Sequence, residues 1–450
     1  MYLRKALGIK RGDVVAFTGA GGKTSALLRL SEELRREGWR VLLTTTTRVG
    51  EDELALFPYA TALDTIRSSR DLSHLMTQHG AFFLYERLWG GKALGVSLAY
   101  LDGLVDKLDS DAILIEADGA RRFPFKAPYE HEPVVPDSTT LAVIVAGMDI
   151  LGQPLDDEHV YNPDAIIERY GFPSGEPIRP AWVGQVLRDE TLGLKGIPPK
   201  ARVVALLNKT SDSVLDQLKA RRVAQVILHN EQVSSVALSH LVGYDPVWEV
   251  QRRIGAIVLA GGMSRRMGQP KQLLPWGKST VIATLTGRLL PLRFADIVVV
   301  TGHAHNAVRQ AIAPSGVRSV HNTDYETGEM LSSLQTGLQA FGPDIAACMI
   351  FLGDQPQINA RLVHQMMLAY AQGEGDIVAP SYMRRRGHPI LIDRRFWREL
   401  LELPAGSAPR DVVNRYNDQI AYILTDDINV LEDMDTPEQY RAALKRAGLL

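Results

Sequence analysis

Two glycine-rich stretches carry the residues most able to do chemistry. In the second half, Ile257-Val258-Leu259-Ala260 runs into Gly261-Gly262-Met263-Ser264-Arg265-Arg266-Met267-Gly268, with Lys271 close behind. Glycines let a backbone approach an anion closely, and arginine and lysine balance phosphate oxygens. That order suits a triphosphate. Near the N-terminus, Val14-Val15-Ala16-Phe17-Thr18 leads into Gly19-Ala20-Gly21-Gly22-Lys23-Thr24. Here a loop and a helix start could hold phosphates, with Lys23 reaching the terminal ones and the Thr24 hydroxyl binding Mg²⁺. The spacing departs from the usual phosphate loop, because Phe17 stands where its first glycine belongs.

Nucleotidyl transfer needs charge neutralisation on a triphosphate, in-line positioning and a divalent cation held by carboxylates. Leu259, Ala260, Gly261 and Gly262 form the expected cradle, and Arg265 and Lys271 are the expected clamp on leaving pyrophosphate. Ile350-Phe351-Leu352-Gly353-Asp354-Gln355-Pro356 places a carboxylate at the end of an apolar strand, where open α/β sheets bind ligands. Asp354 is therefore the first expected Mg²⁺ ligand. In Glu432-Asp433-Met434-Asp435-Thr436-Pro437, Asp435 has two readings: a second metal ligand, or the cap of a helix that begins at Thr436-Pro437. The basic run Arg384-Arg385-Arg386-Gly387-His388 reads either as an acceptor-binding loop, with Arg386 and His388 on the acceptor, or as a solvated hairpin.

The N-terminal loop has companions. Ala112-Ile113-Leu114-Ile115 ends in Glu116 and Asp118, candidates to hold a metal or orient a water. Asn208-Lys209-Thr210-Ser211-Asp212 resembles a guanine-reading motif with one extra residue, and reads equally as a strand-end turn. Thr44–Thr47 could offer hydroxyls to a γ-phosphate, or only reflect β-propensity.

The elements that position these residues follow from the apolar pattern. A chain of 450 residues exceeds one ordinary core, and short apolar runs alternating with amphipathic stretches indicate parallel α/β structure. Strands are predicted at Val14–Phe17, Val41–Thr44, Phe82–Tyr85, Ala112–Ile115, Leu141–Val145, Val203–Leu207 and Gln225–Leu228. A helix over Thr24–Glu37 stops at Gly38. Arg121–Pro136 and Asn162–Pro199 read as long loops or a small inserted subdomain. The alternation restarts at Ile254–Ala260, with strands at Asp296–Thr301, Ala346–Leu352, Asp376–Ala379, Pro389–Ile392 and Ala421–Leu424. Helices are predicted near Thr280–Leu290, Leu331–Ala340, Ala360–Ala371 and Thr436–Ala447. The expected organisation is two tandem three-layer domains, residues 1–245 and 254–450, with the boundary around Tyr244–Arg253.

Composition narrows the partners. A net charge of −2 gives no reason to expect nucleic-acid binding. The single cysteine, Cys348, lies in an apolar run and reads as an inert buried thiol. No run approaches the ~20 apolar residues of a membrane span, and no signal-peptide core is visible. A cytoplasmic chain without membrane partners is expected.

The second-half motifs, namely the loop, Gly353-Asp354-Gln355-Pro356, Arg386-Gly387-His388-Pro389 and Asp433-Met434-Asp435-Thr436-Pro437, together resemble the molybdenum cofactor cytidylyltransferases, within the MobA-like nucleotidyltransferases. The resemblance runs from about Ile254 to the C-terminus. It implies a Rossmann-like nucleotidyltransferase fold, Mg²⁺, and transfer of CMP from CTP to the phosphate of molybdopterin cofactor. Cytidylyl members usually carry Leu-Ala-Ala-Gly where this chain has Leu259-Ala260-Gly261-Gly262, a form typical of the guanylyl branch, which uses GTP. Gly328-Glu329-Met330-Leu331-Ser332-Ser333-Leu334 is similar to the cytidylyl branch, with Ser332 and Ser333 as nucleotide-binding candidates. The first half is similar to the YqeC-like family, at Thr18–Thr24, Thr44–Thr47 and Glu116–Gly119. That likeness implies an accessory role to molybdenum hydroxylases, with ATP or GTP at a P-loop-like domain and a hydroxylase apo-enzyme as partner. A third reading makes the chain a nucleotide-gated carrier of the finished cofactor.

Overall fold

The computed structural model describes residues 1–450 apart from Pro58, Asp106 and Gly328. The last of these opens the cytidylyl-like segment and lies outside the described residues. The chain divides into two compact units, Met1–Gln251 and Arg252–Leu450, each mixed α/β around a largely parallel sheet.

The first unit is built on nine strands: β1 Asp13–Gly19, β2 Val41–Thr45, β3 Ala60–Ala62, β4 Ala81–Tyr85, β5 Ala112–Glu116, β6 Leu141–Gly147, β7 Arg202–Asn208, β8 Val233–Ser239 and β9 Val247–Arg252. Their order across the sheet is β9-β8-β7-β6-β1-β5-β2-β4-β3. The seven pairings from β8 to β3 are parallel. Strands buried on both faces must read as unbroken apolar runs, and β6 does. Its Leu141, Val143 and Val145 pack into one core, while Ala142, Ile144 and Ala146 pack into the core on the other face. Helix α1 (Lys23–Arg36) presents Ala26, Leu27, Leu30 and Leu34 to the first of these cores. Gly38, at φ +77°, ends it with its N–H on the Arg35 carbonyl, a left-handed cap.

Two expectations are corrected here. Gln225–Leu228 is not a strand but the end of helix α2, Val214–Ile227. Its β-branched residues mimic a strand locally, yet buried Ala220, Val223, Ala224 and Ile227 complete a helical period. The strands that follow, β8 and β9, were not anticipated. Asn162–Pro199 is more ordered than a loop: helices span Pro163–Tyr170 and Pro180–Leu187, each started by its proline, and bury Ile166, Val183, Val186 and Leu187.

In the second unit the strands are β10 Ile254–Ala260, β11 Asp296–Thr301, β12 Arg318–His321, β13 Ala347–Leu352, β14 Ile377–Tyr382, β15 Arg385–Arg386, β16 Ile390–Asp393 and β17 Ile420–Leu424. Their order is β12-β11-β10-β13-β16-β14-β15, with β17 also on β14. The four strands from β12 to β13 are parallel, and β16 is antiparallel to both its neighbours. Helices α3 (Val281–Leu289), α4 (Glu329–Gln339), α5 (Ala360–Gln372) and α6 (Pro437–Arg446) flank it. Alternation again serves two cores: Ala347, Met349 and Phe351 of β13 join α3 and α5, while Cys348 and Ile350 join Leu334 and Leu338 of α4. Burial pushes the Cys348 thiol pKa far up, consistent with an inert side chain.

The chain leaves β10 toward β11 and β12 on one side, then returns to β13 on the other. That reversal opens a crevice at the carboxyl ends of β10 and β13. Phe351 fixes this end of β13, being 2% exposed and edge-on to Phe294 at 5.7 Å. Phe351→Ala should lower the stability of this unit by about 3–5 kcal/mol. Hydrogen exchange should then quicken in β10 and β13 while β1 and β6 keep their protection; unchanged β10 and β13 amides would refute it.

Candidate functional site

At the crevice, three neighbouring parallel strands each end in a glycine. A Cβ on Gly302, after β11, would lie 2.3 Å from the Gly261 carbonyl oxygen, and one on Gly353, after β13, 2.6 Å from that of Leu259. Only bare backbone lets the strand ends approach this closely. A Cβ on Gly261 would lie 2.8 Å from Ser333 Oγ of α4. Gly262 faces open space.

Beyond the glycines, the loop is shaped by Ser264, at φ +52°. Its carbonyl accepts from the Met267 and Gly268 N–H groups, and its hydroxyl accepts from the Lys271 N–H at 3.0 Å. Lys271 is thereby aimed inward. Its ammonium bridges Asp354 Oδ2 at 2.5 Å and Asp435 Oδ1 at 2.9 Å. Arg266 reaches the other Asp435 oxygen at 2.5 Å. Arg265 is exposed and has its guanidinium beside the Met263 sulfur, outside this cluster.

Asp354, 4% exposed, follows β13 and also takes the Met434 N–H at 3.4 Å. Of the two readings of Asp435, capping falls to its neighbour. Thr436 Oγ1 accepts from the Gln439 N–H, and Gln439 Oε1 accepts from the Asp435 and Thr436 N–H groups, a reciprocal capping box. The Asp435 carboxylate is left to Lys271 and Arg266. Burial acts to raise the Asp435 pKa, but hydrogen bonds and charge from those two cations outweigh it and hold it below the usual range. Burial likewise opposes charge on Lys271, and the two carboxylates reverse that and raise its pKa. Asp433, bonded to Gln355 Nε2 at 3.2 Å, is raised by burial and by Asp354.

The basic run Arg384–His388 forms a hairpin. Met383 and Arg384 turn at positive φ between β14 and β15, and the exposed Arg384 and Arg385 are solvated. Arg386 turns back onto Asn414 at 2.8 Å. His388 is half-buried and within electrostatic range of Asp354. Burial first, then Arg386, drives its pKa down to about 4 against the opposing pull of Asp354.

Ser332 and Ser333 meet a partner that the sequence reading missed. Buried Asn322 donates to Ser332 Oγ at 2.8 Å and Ser333 Oγ at 3.0 Å, and its own N–H goes to the Thr301 carbonyl. It follows the short strand β12, also unanticipated; the polar triplet Asn322-Thr323-Asp324 was the available signal.

Does the pocket suit a divalent cation? No cluster of three or more His, Cys, Asp or Glu ligands occurs among the described residues. Two converging carboxylates already bridged by an ammonium do match Mg²⁺, which keeps several waters and takes one or two carboxylates plus phosphates.

The first unit assembles a second charged cluster. Gly19, Gly21 and Gly22 all have positive φ. Lys23, 4% exposed, donates to the Gly19 carbonyl at 2.6 Å and pairs with Asp118 at 3.1 Å and Glu116 at 3.9 Å. Thr24 Oγ1 donates to Glu116 at 3.0 Å. Burial opposes the Lys23 charge but is outweighed by Asp118 and Glu116, and its pKa is raised; burial raises that of Glu116 against the pull of Lys23. Asn208 braces the loop, donating to the Gly21 carbonyl at 2.8 Å and accepting from Leu241 N–H, while Lys209 pairs with Asp149. Of the threonines, Thr44, Thr45 and Thr46 spend their hydroxyls on the carbonyls of Leu84, Glu116 and Val134. The turn and β-propensity readings of these two stretches are the ones that this geometry supports.

Known proteins resemble each unit separately. The family model for YqeC protein matches residues 15–164, and that for the MobA-like NTP transferase domain matches residues 256–420. YqeC of Escherichia coli (strain K12), whose name carries no activity, is 33% identical over 45% of this chain and 78% of its own length. A molybdenum cofactor cytidylyltransferase from the same organism is 26% identical over 43% of this chain and 96% of its own. Nicotine blue oxidoreductase of Paenarthrobacter nicotinovorans is 28% identical over 41% of this chain and 94% of its own. No described helix is long and apolar enough to cross a membrane. The chain belongs to the YqeC family through its first unit and carries a MobA-like nucleotidyltransferase domain as its second.

Proposed function

We propose that the second unit transfers CMP from CTP to the phosphate of molybdenum cofactor and releases pyrophosphate, and that the first unit binds a nucleoside triphosphate in support of molybdenum hydroxylase maturation. The observation that carries the transfer reading is the Lys271 ammonium held between Asp354 and Asp435 beside the glycine loop. The similar cytidylyltransferase supplies the acceptor named in this proposal.

In this mechanism the backbone of Gly261 and Gly262 cradles the triphosphate. An oxygen of the acceptor phosphate attacks the α-phosphorus, the bond to the β-phosphate breaks, and pyrophosphate leaves with the bonding electrons. Asp354 and Asp435 would hold a divalent cation, which would supply positive charge to balance the triphosphate. Lys271 exchanges its carboxylates for the leaving phosphates, and Arg265 and Arg266 flank it on the same loop. Ser333 faces the loop from α4 with Ser332 beside it on Asn322, and Arg386 and His388 receive the acceptor. With its pKa near 4, His388 is a neutral hydrogen-bonding group at pH 7, and Arg386 supplies the positive charge.

GTP is the competing substrate, and Gly261 is the residue that favours it. Incubation with molybdenum cofactor, Mg²⁺ and either nucleotide should release pyrophosphate with CTP. Release with GTP alone would overturn the base assignment. Release with neither would leave the carrier reading. Asp354→Ala and Lys271→Ala should each cost roughly 10²–10³-fold in rate, while Lys23→Ala should leave transfer intact. Full activity in the first two, or its loss in the third, would refute the division of labour.

The His388 role has its own test. Its folded pKa lies below the free value, so its neutral form is favoured on folding. Stability of this unit should fall as pH drops from about 6.5 through about 4. An imidazole titration by NMR should place its midpoint near 4, and His388→Gln should flatten stability over that window. A midpoint near 6.5 would eliminate the neutral-donor role.

A further inference from the structure

The glycine loop of the first unit faces protein oxygens where a phosphate loop faces phosphate. The Gly19 N–H donates to Asp118 Oδ2 at 2.9 Å, Ala20 N–H to the Val145 carbonyl, and Gly21 N–H to the Phe123 carbonyl. Asp118, 2% exposed, is the one side chain among these three acceptors. It also pairs with two buried lysines: Lys23 on one oxygen and Lys126, also at 3.1 Å, on the other.

Lys126 comes from the proline-rich stretch after β5. It is 5% exposed, with its ammonium on the Gly119 carbonyl at 2.6 Å and on Glu132 at 2.7 Å. Burying two lysines among Asp118, Glu116 and Glu132 carries a heavy desolvation cost. One carboxylate that takes a loop N–H and two ammonium groups makes the set of contacts that a phosphate group makes in such a loop. The Thr18 hydroxyl, one residue before the loop, is buried without a hydrogen-bond partner among the described residues.

A third cation shares an aromatic ring with Lys126. Arg121 lies over the Tyr161 ring at 5.6 Å, and the Lys126 ammonium over that ring at 5.0 Å. Arg121 and Arg122 both have positive φ, +46° and +67°. Non-glycine residues held there store strain, which gathers at ligand clamps and active sites. Two residues on, Phe123 is the one whose carbonyl covers the Gly21 N–H.

We infer that Lys126 and Arg121 are phosphate-binding residues of the first unit. With Lys23 they neutralise the terminal phosphates of a nucleoside triphosphate, at the position that the Asp118 carboxylate fills here. On binding, Asp118 gives up the Gly19 N–H and the two lysines to phosphate oxygens, and is freed, with Glu116 and Thr24, toward the accompanying cation. This inference rests on the reading that Gly19–Thr24 binds a nucleoside triphosphate.

The test uses the full chain with azido-ATP or azido-GTP and Mg²⁺, photolabelling, and mapping of labelled peptides to residues 1–251, which separates this site from the second unit. Lys126→Met combined with Glu132→Gln removes both charges of the buried pair together and preserves the fold, checked by thermal melting; Arg121→Ala alters an exposed side chain. The double variant should raise the half-saturating nucleotide concentration about tenfold or more, and Arg121→Ala severalfold, as lost charge-assisted contacts would. If labelling of the first unit disappears in Lys23→Ala but is unchanged in both of these variants, the inference is overturned while the loop reading stands. If the unaltered chain takes no label in residues 1–251, the loop reading falls and this inference with it.

Discussion

An ion held between two groups of opposite sign, at the carboxyl end of a parallel sheet, is the arrangement on which each unit depends. In the second unit a cation, Lys271, sits between the anions Asp354 and Asp435. In the first the signs are reversed: an anion, Asp118, sits between the cations Lys23 and Lys126. Removing one partner of a buried pair leaves an uncompensated charge, which costs about 3–5 kcal/mol. Each side chain therefore holds its neighbours in place until something of like charge replaces it. On the reading proposed for the first unit, phosphate would replace the central anion of its trio. On the mechanism proposed for the second, Lys271 would move to phosphate once a cation takes its place between the carboxylates.

The folds serve these trios by bringing strand ends close enough to share one ion. Gly261, Gly302 and Gly353 terminate adjacent strands in the second unit, and added Cβ atoms would collide with neighbouring backbone or with Ser333. In the first, a Cβ on Gly19 would lie 2.3 Å from the Val145 carbonyl oxygen, and one on Gly21 2.2 Å from Gly147 N. Both loops are glycine-rich for packing reasons before any ligand is considered. Close approach of bare backbone is also what a phosphate needs, so one property serves the fold and the site.

Residues with short-range signals were legible in the sequence. The apolar run before each loop, the strand-end position of Asp354, and the Gly38 stop of α1 all act within a few residues of themselves. Lys126, Glu132 and Asn322 were hidden because their significance comes from partners distant in the chain or from irregular backbone without period. Asp118 is eight residues from Lys126, but the intervening Pro124 and the turn at Arg121-Arg122 leave nothing in the pattern to say that the two side chains meet. Gln225–Leu228 failed for the opposite reason. Its local β-propensity was clear, and the helical packing of Ala220, Val223, Ala224 and Ile227 overrode it.

The same distinction bears on the choice of base. Two sequence features point in opposite directions, Gly261 toward guanylyl transfer and the segment around Ser332-Ser333 toward cytidylyl transfer. In space they are one feature. A methyl group at position 261 would stand 2.8 Å from the Ser333 hydroxyl, which Asn322 already fixes by donating to it and to Ser332. An alanine there forces Ser333 to rotate away or the loop to lift, and either movement reshapes the wall between β10 and α4. The glycine in this chain is thus compatible with Ser333 being held against the loop. Selectivity between bases comes from which hydrogen-bonding groups remain unpaired with the wrong one, so on the proposed transfer reading the residues to weigh together are Gly261, Asn322, Ser332 and Ser333. Reading Gly261 alone as a mark of GTP leaves out the neighbour across the crevice against which its backbone packs.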